Sequence, residues 1–162
     1  MPDDAAPHDS VKPKPLWTFH PAIIAMMTAV MGVCIVAVFA VIWFRFDAES
    51  RATFSWFQRL TLLAFFGVVL WLLYRMGTVR VTAYEDALVV RNVFKSYRFG
   101  WTEVKKLRFN PGDPWLQLFD ADGNRFGVLA VQASEGSRAG AAAKQLAAVA
   151  RSHGAGSKAD PA

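Results

Sequence analysis

The sequence predicts a membrane α-helical hairpin followed by an α+β domain, with short antiparallel strands closed by one C-terminal helix. Three observations carry that expectation. Ala22 to Phe44 runs without a charged side chain, and Leu60 to Tyr74 forms a second such run. After Gly77 the apolar residues alternate with polar ones, as strands require. After Ser134 they return at helical spacing.

The first run projects apolar side chains on every side of a helix, which excludes a small soluble core as its environment. At ~1.5 Å per residue it covers ~35 Å, enough to cross a hydrocarbon layer of ~30 Å with some tilt. It starts after twenty residues and is longer than the ~7–15 apolar residues of a cleaved signal, so it reads as a retained span. The second run is shorter, and Trp56 and Phe57 extend it, with Gln58 and Arg59 reaching toward head groups. Trp43, Trp56, Trp71 and Tyr74 sit near the ends of the runs, where amphipathic rings favour the interface. No Asp, Glu, Lys or His lies deep in either run, which argues against an ion pathway or proton relay. Small residues Ala22, Ala25, Ala29 and Gly32 share one face of the first span. Ala64 and Gly67 offer a matching face on the second.

A hairpin puts both termini on one side. Lys12, Lys14, Arg75, Arg80 and Arg91 flank the spans there, against Arg45, Arg51 and Arg59 in the connecting loop. This bias predicts a multi-pass protein of the cell membrane with both termini in the cytoplasm. The expected divisions are a disordered tail over 1–20, the hairpin over 21–76 with spans at about 22–44 and 57–74, the domain over 77–153, and a second disordered tail over 154–162. Met1 to Lys14 is rich in Pro and charge with almost no apolar residue, and Gly154 to Ala162, GAGSKADPA, reads the same way. Cys34 lies mid-span, and His8, His20 and His153 are scattered, so neither a disulfide nor a metal site is expected.

In the domain, Val79, Val81 and Ala83 alternate with Thr78, Arg80 and Thr82, a half-buried strand. Tyr84-Glu85-Asp86 is a turn. Leu88, Val90 and Asn92 alternate with Val89, Arg91 and Val93. Lys95-Ser96 turns the chain into Tyr97, Phe99 and Trp101. Val104 to Phe109 follows, then the Asn110–Pro114 turn. Trp115 to Phe119 and Arg125 to Val131 flank a hairpin loop, Asp120 to Asn124. Ser134 is the expected N-cap of a closing helix, with Glu135 in its first turn and Ala139, Ala142, Leu146 and Val149 on its apolar stripe.

Several motifs recur in a family pattern. They are Thr82-Ala83 before the turn, Val90-Arg91-Asn92, Trp101-Thr102-Glu103-Val104, Gly112-Asp113-Pro114-Trp115 and Asp122-Gly123. With six or seven short strands and one final helix, the segment from about Trp71 to Arg151 resembles the PH-like domain of actinobacterial membrane proteins, the low-molecular-weight protein antigen family. The resemblance implies a PH-like antiparallel β-barrel or sandwich capped by a helix, and the two preceding spans match the usual layout. Eukaryotic PH domains that bind phosphoinositides carry Lys and Arg in the loop between their first two strands. The corresponding loop is here read as the acidic Tyr84-Glu85-Asp86, so that activity is not carried over.

The net charge is +5. Arg75, Arg80, Arg91, Lys95 and Arg98 are the candidate contacts with a membrane surface or a partner, while Lys105 and Lys106 read as a solvated strand face. Interleaved acidic residues and the lack of an aromatic platform argue against nucleic acid. No nucleophile with its base and no Gly-rich phosphate loop points to an enzyme or a cofactor. The expected function is a membrane-anchored interaction module recruiting or scaffolding a protein partner at the cytoplasmic face. Anionic lipid head-group binding is the alternative, as is an accessory role in an envelope transport or synthesis complex.

Overall fold

The computed structural model describes residues 14–155. In chain order these form strand β1 (Trp17–Phe19), helices α1 (Ala22–Arg45), α2 (Ala48–Thr53) and α3 (Trp56–Gly77), and strands β2 (Arg80–Ala83), β3 (Ala87–Arg91), β4 (Ser96–Gly100), β5 (Val104–Arg108), β6 (Trp115–Asp120) and β7 (Arg125–Gln132). A 3₁₀ turn, Ala133–Glu135, leads to α4 (Ser137–Ser152). All strand pairs are antiparallel. They form one sheet in the order β1-β2-β3-β4 and another in the order β5-β6-β7. The two sheets face each other without closing into a barrel, and α4 covers one side, which is a PH-like sandwich.

Helices α1 and α3 are each long and apolar enough to cross a membrane, and neither buries a residue within the chain. Helix α1 runs one residue past the sequence-based span at the loop end, and α3 starts one residue earlier and runs three residues further, to Gly77 at the domain end. They pack antiparallel. Gly77 lies so close to α1 that an added Cβ would fall 2.8 Å from Thr28 Oγ1 and 3.9 Å from Ala25 Cα. Toward the other end the rings of Phe39 and Phe66 meet with centroids 4.6 Å apart, tilted by 50°. The small-residue face is therefore used differently than expected. Ala25, Thr28 and Gly32 meet Leu70 and Gly77, whereas Ala22, Ala29, Ala64 and Gly67 are exposed. The contact stripe on α3 follows Phe66, Leu70, Leu73 and Gly77 at helical spacing, and Ala64 and Gly67 fall beside it. The loop between the spans is itself a short helix, capped by the Asp47 carboxylate accepting from Ser50 N–H at 2.8 Å.

The N-terminal boundary departs most from expectation. Residues 1–13 lie outside the described residues, but Trp17–Phe19, placed by the sequence in a disordered tail, is an edge strand of the first sheet. Phe19 pairs with Val81, and Trp17 with Ala83. The hairpin is thus inserted between the first and second strands of the domain. Antiparallel β1 and β2 end side by side and continue directly into α1 and α3, whose ends are also side by side. A second consequence concerns Tyr84–Asp86. This acidic turn joins β2 to β3, at the far end of the sheet from the hairpin, and the first two strands are joined by the hairpin itself.

Alternation within the strands produces the core as expected. Val81, Leu88, Val90, Phe99, Val104, Leu116, Leu118 and Val128 are buried between the sheets. Trp101 is buried too, and its indole N–H donates to the carbonyls of Tyr84 and Glu85, both at 3.1 Å. On α4 the buried positions are Ala139, Ala142, Leu146 and Ala150, with Val149 only half-buried. Mostly alanine, that stripe lets the helix approach the sheet closely. The expected N-cap Ser134 instead sits in the 3₁₀ turn. Gly136 caps α4 with φ 57° and ψ −130°, a backbone region that a side chain makes costly, so the chain reverses there before the helix starts. Of the C-terminal tail, Ala155 is buried, its N–H donating to Ala150 O at 2.9 Å. Residues 156–162 lie outside the described residues.

Candidate functional site

Two surfaces of the domain combine charge, exposure and shape. The first is the end that meets the hairpin. Because β2 runs away from α3 and β3 runs back, the β3–β4 turn returns to the last turn of α3. There Arg75 Nε donates to Val93 O at 2.7 Å, and Asn92 N–H donates to Lys95 O at 2.9 Å to close the turn. Phe94, at its tip, is 71% exposed, and Lys95 is exposed beside it. Arg80 and Arg91 face each other across β2 and β3. Like charges in that relation destabilise a sheet, and among the described residues neither forms an ion pair.

The structure therefore brings Arg75, Arg80, Arg91 and Lys95 to one end of the domain. Arg98 is not with them. It lies mid-strand on β4 and pairs with Asp86 in the acidic turn at the opposite end. Lys95 and Arg98 do not share a hairpin tip, because only Lys95 belongs to the turn.

On the other flank of the same end, Glu135 reaches the start of α1. Its carboxylate Oε1 accepts from the N–H groups of Ile23 at 3.0 Å and Ile24 at 3.4 Å. These are among the donors that an α-helix leaves unpaired at its N-terminus. Oε2 is buried without a hydrogen bond, and the Arg138 guanidinium stands 3.5 Å away as its counter-charge. Two chain connections, this cap and the Arg75 contact fix the domain on the hairpin.

The second surface is a groove of about 500 Å³ where the sheets stay apart. It is lined by Asn92, Tyr97, Trp115, Gln117, Arg125 and Gly127, among others. Asn92 builds its floor. Its side-chain amide donates to Gly127 O at 2.7 Å, and its Oδ1 accepts from Leu129 N–H at 3.1 Å. One side chain thus satisfies two edge groups of β7 that no strand covers. Trp115 lies across Gly127, where an added Cβ would fall 2.7 Å from Nε1. The indole is 41% exposed, and its N–H donates to no group among the described residues. Tyr97 and Phe126 line the wall, and Phe126 packs edge to face against Tyr97 at 5.1 Å and against the buried Phe99 behind it at 5.0 Å.

The turn before Arg125 is rigid. The Asp120 carboxylate accepts from the Asn124 side chain at 2.9 Å, and from the N–H groups of Asn124 at 2.8 Å and Asp122 at 2.9 Å. The Asn124 side-chain bond, with help from the backbone donors, holds its pKa below the ordinary carboxylate value.

The sequence reading missed this groove. Asn92 carried a signal, because strict alternation places it on the inward face after Leu88 and Val90, where an amide needs partners. Trp115 carried none beyond its place at a strand start.

No curated protein and no solved structure matches the chain. Residues 78–148 match the family model described as Bacterial PH domain, and the stretch it covers begins just before β2 and ends within α4, leaving out β1 and the hairpin. Two packed sheets and a closing helix give the domain carried by the hairpin a PH-like fold, and over residues 78–148 it is similar to the Bacterial PH domain family.

Proposed function

We propose that the chain is a membrane-anchored interaction module. The hairpin holds the PH-like domain at the cytoplasmic face of the cell membrane, and the groove between the β4 and β7 edges takes a segment of a protein partner. The groove is the observation that carries this reading. It offers a half-exposed indole whose N–H has no partner among the described residues, a tyrosine, an arginine and two amide side chains. Aromatic and arginine anchors of this kind dominate protein interfaces. The acidic turn joins β2 to β3, away from the groove. The basic bias around Arg75, Arg80 and Arg91 supports the cytoplasmic side. Fixing the domain to the spans without a flexible linker raises its local concentration for a membrane-bound partner and presents it in one orientation.

A photo-crosslinking residue at Gln117, in the full chain expressed in cells, tests this. The expected result is one discrete protein adduct that is lost when Trp115→Ala is added. No adduct, or one indifferent to Trp115→Ala, would overturn the assignment of the groove.

A further inference from the structure

We infer that the β3–β4 turn rests on the anionic head groups of the leaflet that α3 leaves, with Phe94 entering the interface and Arg80, Arg91 and Lys95 above it. This rests on the membrane-anchored reading, and it assigns a surface that the protein-binding groove does not use.

The depth follows from one contact. The apolar stretch of α3 ends at Leu73 and Tyr74, and Arg75 is its first charge after Arg59. In a bilayer that arginine marks the boundary between hydrocarbon and head groups. Since Arg75 Nε holds Val93 O at 2.7 Å, the turn lies at the same depth. The head-group layer is only about 5–8 Å thick on each side, so the next residue, Phe94, has no room to stand clear of it. The exposure of Phe94 fits that position. Outside the two long helices, Phe94 is the most exposed large apolar side chain among the described residues. A phenylalanine ring in water is unfavourable, and the interface removes it from water.

The charge pattern selects the lipid. Arg80 faces Arg91 directly across the sheet, and neither has an acidic partner among the described residues. Lys95 adds a third cation on the turn. Arg98, further from the hairpin, is already neutralised by Asp86. Among the described residues Arg80, Arg91 and Lys95 thus stand together at the membrane end without an acidic partner, and an anionic leaflet supplies the missing counter-charge.

The test uses the full chain in lipid vesicles with a spin label at Ser96→Cys, in a Cys34→Ser background. Ser96 is exposed beside the turn and leaves Phe94 and Lys95 intact. Collision with a water-soluble nickel chelate is compared with that of a label at Asp122→Cys in the far turn. A label on native Cys34 reports the hairpin. The expected result is strong shielding from nickel at Ser96→Cys in vesicles containing phosphatidylglycerol. Adding Phe94→Ala, or Arg80→Gln with Arg91→Gln, should shift that shielding toward the Asp122→Cys value. Equal nickel access at Ser96→Cys and Asp122→Cys, with Cys34 shielded, overturns the inference alone. Nickel access at Cys34 overturns the membrane reading as well. Shielding that is identical in purely zwitterionic vesicles, or unchanged by Phe94→Ala, also overturns it.

Discussion

The carboxylate Oε1 of Glu135 lies 3.0 Å from the backbone nitrogen of Ile23. One residue of the PH-like domain thereby caps the first apolar helix, although 112 positions separate the two. A charged acceptor at a helix N-terminus also meets the positive end of the helix dipole. The cap orients the domain as well as completing the helix.

Glu135→Ala should destabilise the full chain in detergent by about 1–3 kcal/mol, because two N–H donors lose a buried acceptor. Glu135→Gln keeps an acceptor oxygen but loses the charge, so its cost should be smaller. Thermal unfolding ranks the variants. Amide hydrogen exchange at Ile23 and Ile24 should accelerate in Glu135→Ala. Equal stability of all three proteins would remove the cap from the account.

Asn92 ties the two sheets through a donor and an acceptor on one side chain. Asn92→Leu should cost about 1–3 kcal/mol, leaving Gly127 O and Leu129 N–H without their partner. Asn92→Asp keeps the acceptor for Leu129 but sets a carboxylate oxygen against the Gly127 carbonyl. It should be at least as harmful as Asn92→Leu despite its similar shape. Urea unfolding in detergent measures both, and a mild Asn92→Asp would show that the Gly127 contact contributes little.

The hairpin should be removable if both flanking segments are kept. Because Phe19 pairs with Val81, an Asn-Gly turn between His20 and Arg80 continues the register as a two-residue hairpin. Such a protein, spanning residues 14–20 and 80–155, should be soluble and folded when Glu135→Gln removes the buried charge whose helix is gone. The same protein without residues 14–20 bares the β2 edge and the part of the core that Trp17 and Phe19 pack against, and should aggregate. Heteronuclear NMR spectra of the two distinguish these outcomes. A well-folded shorter protein would show β1 to be dispensable.

Asp120 makes stability depend on pH in a defined direction. Its folded pKa is lowered by the Asn124 side chain and neighbouring backbone donors. The unfolded state therefore takes up the proton first. The contribution is fully present above the unfolded value, near the reference 3.8, and is lost as pH falls through the lower folded value. The urea midpoint of wild type should exceed that of Asp120→Asn at pH 6, and the gap should shrink below pH 4. A gap independent of pH would mean that the turn does not depend on the charge.

Topology has its own test. In a Cys34→Ser background, a cysteine at Ser50, between the spans, should react with an impermeant thiol reagent in intact cells. One at Asp122 in the domain should be protected until the membrane is opened. The reverse pattern would put the domain outside and exclude a cytoplasmic partner.

The sequence by itself determined the elements with a strong local period. Charge-free runs marked α1 and α3, because a membrane-length helix needs apolar residues on all faces. Alternation set Val81 with Ala83 and Leu88 with Val90 on one face of their strands, because strand side chains point to opposite faces at a period of two, and all four are buried. Three residues are too few to show a period, so Trp17–Phe19 passed for tail. Its strand exists only because Val81 and Ala83 wait across the hairpin, with Thr18 and Thr82 64 positions apart. Only tertiary structure could turn Glu135 from a first-turn charge into the cap of α1, or separate Arg98 from Lys95. Each of those roles depends on a partner far along the chain, and no local pattern records where the chain returns. The groove belongs to the same class, since it forms where β4 and β7 fail to pair and Asn92 bridges the gap.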